Sequence, residues 1–277
     1  MIIINKFKDF NLGDIFLPPS DLPDRTWHFV GREKYLKDIE SAFFDKNKKI
    51  IIISSFPGTG KSTLANEIAY RLTDKRHSNH LAYWVKSDGT NSDFYFENFA
   101  KFELNINLNE KNDKKFIIRQ IKIKLDKATK NLLFIFDNCD DYQDIKDYLQ
   151  MILSLAKSKI IITTTRNSIP IEDFKSEETK KIILEPFNEC ECIEFIKNRF
   201  GNGITDEETR EILGLLEGPS NELKMPNDLI KLIAHVKLNL IGFQKLTGDF
   251  IKKLNEKKKE SKIPISDDEI IELITKF

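Results

Sequence analysis

Residues 55–63 read Ser-Phe-Pro-Gly-Thr-Gly-Lys-Ser-Thr and lie between two segments of different periodicity. Before them, the four consecutive isoleucines at 50–53 are typical of a strand that is buried on both faces. After them, Leu64, Ile68 and Leu72 recur with helical spacing. A buried strand, a glycine-containing loop and an amphipathic helix in this order predict a phosphate-binding loop in an α/β domain.

The residue types in this loop suit phosphate. Gly58 and Gly60 allow backbone N–H groups to bend close to anionic oxygens. Lys61 is long enough to reach β- and γ-phosphates, and the Ser62 hydroxyl is a ligand for Mg²⁺. Ser55 stands where such loops usually have their first glycine, and a plain glycine turn is the alternative interpretation. The loop residues expected at a nucleotide are Phe56, Pro57, Gly58, Thr59, Gly60, Lys61, Ser62 and Thr63.

Two further polar residues follow buried strands. A P-loop needs a second carboxylate for Mg²⁺ at the end of another strand, and Asp137 follows the apolar run 132–136. Arg166 ends the run 160–165, where a cation is placed to act on a γ-phosphate, unless it pairs with a surface acid. We therefore predict that Ser62 and Asp137 hold Mg²⁺. The candidate catalytic residues are Lys61, Asp137 and Arg166.

The residue after Asp137 departs from the usual pattern. Many ATPases place an acid there to activate water, whereas this chain has Asn138. An amide orients water but cannot take its proton. Asp140 and Asp141 are two alternatives for that task, and capping of a helix before Tyr142 is the other role open to them.

Five short β-branched or aromatic runs predict the strands of one sheet. They are Ile50–Ile53, Leu81–Val85, Leu132–Phe136, Ile160–Thr163 and Ile182–Leu184. Helical spacing lies between them, although residues 121–125 taken alone also fit strand alternation. The sequence therefore predicts an α/β fold with a five-stranded parallel sheet and helices on both faces, followed by a small all-helical subdomain.

The same patterns divide the chain into four parts. Residues 1–26 contain three prolines and predict an extended arm. The nucleotide-binding domain takes residues 27–186. Only helical patterns follow, first in a helical subdomain at 187–245 and then in a charged helical tail at 246–277, which is also readable as the start of a missing domain.

Composition argues against several classes of function. The 44 Lys and Arg residues balance 44 Asp and Glu residues, so the chain lacks the basic excess of proteins that grip nucleic acid. Three cysteines are too few for a disulfide framework and favour a reducing cytoplasm. No apolar run is long enough to span a bilayer. We expect a cytoplasmic protein with neither a nucleic-acid nor a membrane partner.

The order of these motifs resembles the STAND signal-transduction ATPases, and among them the NB-ARC family. The segments that carry the resemblance are Phe29-Val30-Gly31-Arg32-Glu33, the P-loop at 58–65, the strand and acids at 132–141, Thr164-Thr165-Arg166 and Leu184-Glu185-Pro186-Phe187. The segment 132–141 is similar to that of bacterial and fungal members. Met225–Leu229 stands in the place of the family's Gly-Leu-Pro-Leu motif and keeps only Pro226 and Leu229.

The resemblance implies roles that spacing does not show. It implies that Val30 and Arg32, with Gly31 between them, lie against adenine and that Pro226 covers it. It also implies that Arg166 contacts the γ-phosphate. In such proteins ADP holds a closed state, and exchange for ATP lets domains reorient and assemble. The implied protein is a regulatory switch that binds ATP or ADP with Mg²⁺ between the α/β domain and the helical subdomain.

The implied switch hydrolyses ATP slowly and has protein partners or self-associates. The winged-helix, repeat and effector domains of the family are not recognisable, so the chain is either a fragment of a larger switch or a reduced protein. Two other functions stay open. One is an ATP-driven remodeller or replication-initiator type of ATPase, and the other is a non-hydrolysing module in which bound ADP is structural.

Overall fold

The computed structural model describes residues 21–26, 29–73, 79–87, 92–109, 111–165, 174–200, 205–207 and 209–210. The helices in this part of the chain are α1 (Glu33–Phe44), α2 (Lys61–Thr73), α3 (Ser92–Asn98), α4 (Lys114–Leu125), α5 (Lys146–Leu153) and α6 (Glu189–Phe200). The strands are β1 (Ile50–Ser54), β2 (His80–Lys86), β3 (Asn131–Asp137), β4 (Ser158–Thr164) and β5 (Thr179–Ile183). A π-helical turn, Phe99–Glu103, continues α3, and a 3₁₀ turn, Ser176–Glu178, precedes β5.

The five strands form one parallel sheet in the order β2-β3-β4-β1-β5, which confirms the predicted sheet. The strand β4 lies between β1 and β3. Its register pairs Thr164 with Ser54 of β1 and Ile162 with Phe136 of β3. The carboxyl ends of β1, β4 and β3 therefore lie side by side, which is the edge where open parallel sheets bind ligands.

The core on one face of the sheet decides how residues 121–125 fold. Ile117, Ile121 and Leu125 of α4 pack into the apolar cluster of that face, whereas Ile123 is 42% exposed. Burial every four residues is helical, so tertiary packing selects helix over the alternating strand pattern. Strand alternation here would have placed Ile123 on the same face as Ile121 and Leu125.

The edge strand β2 is covered by the segment that precedes α1. The Asp21 N–H donates to the Ala82 carbonyl at 3.0 Å, and the Trp84 N–H donates to the Asp21 carbonyl at 3.1 Å. Pro23 has no N–H with which to continue this pairing, which explains why it stays a single bridge. The Nε–H and one Nη–H of Arg25 then donate to the two oxygens of the Glu67 carboxylate of α2, at 3.0 and 2.8 Å.

The described residues cluster into two compact units. The first unit takes those within 21–25, 34–56 and 61–183, and the second takes those within 26–33, 57–60 and from 184 onward. In the second unit, α6 covers part of the predicted helical subdomain, whose residues 205–207 and 209–210 are also described, and most of its remainder lies outside the described residues. The four-part division of the chain stays a prediction. Within the described residues, no helix combines the length and the apolarity needed to cross a membrane.

Candidate functional site

The P-loop leads from β1 into α2, as the sequence predicts. Lys61 opens α2, and its ammonium donates to the carbonyl of Ser55 at 3.1 Å and to that of Phe56 at 2.8 Å. Gly58 and Gly60 have φ angles of 82° and 90°, a left-handed region that strongly favours glycine. No heavy atom lies within 4 Å of a Cβ built on Gly60, so backbone conformation rather than space requires glycine there.

Lys61 is a buried cation next to acidic groups. Burial lowers the pKa of its ammonium, while the carboxylates of Asp140 and Asp137 raise it. The residue is only 7% exposed. A desolvated ammonium at the start of a helix fits a phosphate group.

Asp137 ends β3 and faces the end of β4. Its Oδ1 accepts a hydrogen bond from the Thr163 hydroxyl at 2.6 Å. The hydroxyl of Ser62 and the remaining oxygen of Asp137 are the hard oxygen donors that Mg²⁺ prefers, with phosphate oxygens and waters completing such sites. Among the described residues, no cluster of three or more His, Cys, Asp or Glu side chains could hold a metal ion by itself.

Asn138 and its two acidic neighbours have different surroundings. Asn138 has a φ of 57°, a left-handed conformation that asparagine tolerates better than most residues. Asp141 is exposed and accepts a hydrogen bond from the Gln143 N–H at 2.9 Å, which is a local turn. The Asp140 carboxylate instead accepts hydrogen bonds from Thr164 and Thr165. These contacts fit a structural role for both acids better than proton transfer.

The second unit contains the segment expected near adenine. Val30 is 5% exposed, and Gly31 and Arg32 both have a φ of 65°. A Cβ on Gly31 would lie 2.9 Å from Cγ of Glu191, so both conformation and space require glycine. The Arg32 N–H donates to the same Glu191 carboxylate at 3.0 Å.

The Arg32 side chain is committed to protein partners. Its guanidinium donates to the Glu185 carbonyl at 2.7 Å and to the Thr59 carbonyl at 3.2 Å. Its central carbon lies 4.2 Å from the centroid of the Phe187 ring, and the residue is 5% exposed. Arg32 therefore connects residue 59 of the P-loop with the segment before α6.

Glu191 is not among the predicted site residues, although the sequence contains a signal for it. Asn188 and Glu191 form a reciprocal capping box at the start of α6, with N–H to side-chain bonds of 3.0 and 2.9 Å. An Asn-x-x-Glu pattern before an apolar helix predicts that cap. No local pattern indicates that the same carboxylate also receives the backbone N–H of Arg32, since the two residues are 159 positions apart.

The structure brings some of the predicted site residues together within one unit. Asp137 acts electrostatically on Lys61 in the first unit, and the Arg32 guanidinium bonds to the Thr59 carbonyl in the second. Arg166 and Pro226 lie outside the described residues. A separate groove of about 510 Å³ beside β2, lined by aromatic residues such as Trp84, contains none of the predicted site residues.

Comparison with known proteins places the chain in a family. No curated protein matches its sequence significantly. One similar structure is a chain of the E. coli MS115-1 HORMA:CdnC:Trip13 complex, with a TM-score of 0.54 and 11% identity, covering 90% of this chain and 89% of that one. That likeness shows the fold alone.

A second similar structure is the STAND protein PH0952 from Pyrococcus horikoshii, which has a tetratricopeptide repeat sensor. Its TM-score is 0.47 and its identity 20%, over 82% of this chain and 34% of that one.

The model of the NB-ARC domain matches residues 32–204, from the arginine beside the P-loop carbonyl to the segment after α6. This match covers more than half of the sequence, and the chain therefore belongs to the NB-ARC family, as its motifs indicated.

Proposed function

We propose that this chain is a regulatory switch that binds ATP or ADP with Mg²⁺ and hydrolyses ATP slowly. The observation that carries the proposal is the placement of a buried Lys61, which donates to the carbonyls of Ser55 and Phe56 just after β1, and of Asp137 at the end of β3. Because Lys61 is buried, anionic oxygens such as those of phosphate would stabilise its ammonium. The Asp137 carboxylate provides one oxygen for a divalent ion. Both residues stand at the motif positions that the NB-ARC resemblance assigns to phosphate and metal.

The residue roles follow from the same argument. The P-loop from Phe56 to Thr63 would hold the phosphates, and Ser62 and Asp137 would hold Mg²⁺. When bound, Mg²⁺ neutralises charge on the β- and γ-phosphate oxygens. Arg166 is proposed to contact the γ-phosphate on the strength of the family resemblance.

The adenine contacts also rest on the resemblance. Val30, Gly31, Arg32 and Pro226 are the proposed residues. The Arg32 guanidinium already bonds to the Glu185 and Thr59 carbonyls and lies over the Phe187 ring. The contact of Arg32 with adenine would therefore come from its backbone or from the aliphatic part of its side chain.

Asp137→Asn tests the metal site. The amide keeps an oxygen that can accept from the Thr163 hydroxyl, so the fold should persist, but it cannot neutralise the charge of Mg²⁺. We expect the gain in ATP affinity that Mg²⁺ provides to fall about tenfold or more, with Mg²⁺-free ADP affinity within about twofold of wild type. Calorimetry with and without Mg²⁺ measures both. Equal losses in the two conditions would make Asp137 a structural residue.

Asn138→Asp tests why hydrolysis should be slow. Wild-type turnover is expected below the roughly 1–10³ s⁻¹ of ordinary enzymes, because Asn138 orients water without taking its proton. Aspartate tolerates the left-handed backbone at this position and should raise the rate while ADP affinity stays the same. Asn138→Gly is the matched control, since it fits the backbone without adding a base. An Asp variant no faster than wild type would overturn this explanation.

The non-hydrolysing ADP module is the second candidate. It is favoured by the engagement of Asp140 with threonines, which removes one of the acids available to activate water. Turnover by the purified chain distinguishes it from the slow switch. Identification of the nucleotide that remains bound through purification tests both against the ATP-driven remodeller.

Partners and location are proposed on the same basis. A switch of this family acts through protein partners or self-association, which light scattering with ATP and with ADP would measure. Cys139, Cys190 and Cys192 are all free thiols, which suits a reducing cytoplasm.

A further inference from the structure

The carboxylate of Asp140 is bound by the end of β4. Its Oδ1 accepts from the Thr164 hydroxyl at 2.9 Å and from the Thr165 N–H at 2.8 Å. Its Oδ2 accepts from the Thr165 hydroxyl at 2.6 Å. Three donors therefore occupy a carboxylate that has about four lone-pair positions.

The residues just before Asp140 are bound to the same strand. The Thr163 hydroxyl donates to Asp137 at 2.6 Å and accepts from the Asn138 N–H at 2.8 Å. The Cys139 N–H donates to the Thr163 carbonyl at 2.8 Å. Four consecutive residues, from Asp137 at the end of β3 to Asp140, are thus bonded to three consecutive threonines, Thr163 to Thr165.

These contacts determine what Asp140 is able to do. Hydrogen bonds to a carboxylate are stronger than those between neutral groups, and together they hold its geometry. A carboxylate with three donors is poorly available to take a proton from water. It is well suited to hold the end of β4 in place relative to Asp137, because Asp140 lies only three residues after Asp137 and bonds to Thr164 and Thr165.

We infer that Asp140 is a positioning residue that makes the site distinguish ATP from ADP. The inference rests on the proposed nucleotide function. The P-loop backbone holds the phosphates that ADP and ATP share, whereas the metal carboxylate at the sheet edge acts on the γ-phosphate as well. Loss of the bonds from Asp140 to β4 should therefore affect ATP more than ADP.

The test compares two substitutions that remove the same charge. Asp140→Ala removes all acceptors, whereas Asp140→Asn keeps an oxygen for Thr164 and for the Thr165 N–H, and its amide can donate to the Thr165 hydroxyl. Asp144→Ala is the matched control, because Asp144 is an exposed acid of the same segment. Calorimetry with MgATP and MgADP gives the ratio of affinities, and phosphate release gives turnover.

The positioning role predicts a distinct result for each variant. Asp140→Ala should lower the ratio of ATP to ADP affinity about tenfold, while Asp140→Asn and Asp144→Ala should stay within about twofold of wild type. Thr165→Val should reproduce part of the loss, and the double variant with Asp140→Ala should lose no more than Asp140→Ala alone.

Three results would overturn the inference. The first is an unchanged ratio in Asp140→Ala, and the second is an equal loss in Asp140→Asn, which would make charge rather than geometry the cause. The third is a turnover abolished in Asp140→Asn with an unchanged ratio, which would make Asp140 the general base. A wild-type chain that binds neither nucleotide overturns the proposed function itself, and the inference with it.

Discussion

Replacing Lys61 with alanine is expected to weaken the binding of both ATP and ADP by at least about a hundredfold. The ammonium is the charge-assisted donor at the start of α2, and its burial leaves no solvent to take over its role at phosphate. Calorimetry with each nucleotide in Mg²⁺ measures the loss. The midpoint of thermal unfolding checks that the fold survives, since the carbonyls of Ser55 and Phe56 also lose their donor.

Lys101→Ala provides the control for the loss of one positive charge. Lys101, in the π-helical turn, forms an ion pair with Glu97 in the preceding turn, and such a half-exposed pair contributes little to stability. Its affinity for both nucleotides should stay within about twofold of wild type. An unchanged affinity in Lys61→Ala would remove the P-loop assignment, and with it the proposed switch.

Replacing Arg32 with alanine is expected to destabilise the second unit by about 3 kcal/mol. The substitution leaves the Glu185 and Thr59 carbonyls without this donor and the Glu191 carboxylate without its nearby cation, at 3.8 Å from the guanidinium. The Phe187 ring also loses its stacked partner. Denaturant unfolding, followed by a probe in the second unit, measures the change in free energy.

Arg210→Ala is the matched control for this prediction. Arg210 bonds to Glu189 of α6 at 3.3 Å, and both side chains of that pair are largely exposed, so its loss should cost less than about 1 kcal/mol. The nucleotide affinity of both variants is measured in parallel. It shows whether Arg32 also affects nucleotide binding through its contact with the Thr59 carbonyl. A loss in Arg32→Ala no larger than that of Arg210→Ala would contradict the role assigned to the buried guanidinium.

The five strands could be predicted because each is a local apolar run that does not depend on its neighbours. Their order could not. The position of β1 between β4 and β5 is set by pairing between segments about a hundred residues or more apart, such as Ile50 with Ile160. Residues 121–125 show the same limit at short range, because both periodicities fit the sequence and only packing of Ile121 and Leu125 into the core selects the helix.

In the candidate site, too, local motifs predict some residues, whereas only the fold decides the partners of others. The phosphate contact proposed for Lys61 could be inferred because a strand, a glycine loop and a helix lie next to one another in the chain, and the metal contact proposed for Asp137 because it follows a buried strand. Asp140 and Asp141 were equivalent in the sequence. They differ in the structure because the hydroxyls of Thr164 and Thr165 reach one carboxylate, whereas the other caps its own turn.

The sequence by itself determined the fold class and the family, and it named the candidate residues for phosphate binding, since all of these depend on local spacing and on motifs in order. Only the tertiary structure decided which partners the polar side chains of the site have. Asp140 meets Thr165 across 25 positions, and Arg32 meets Glu191 across 159. A carboxylate or guanidinium that is wholly or partly removed from water is satisfied by the donors and acceptors that the fold brings to it, and the packing of distant segments decides which these are.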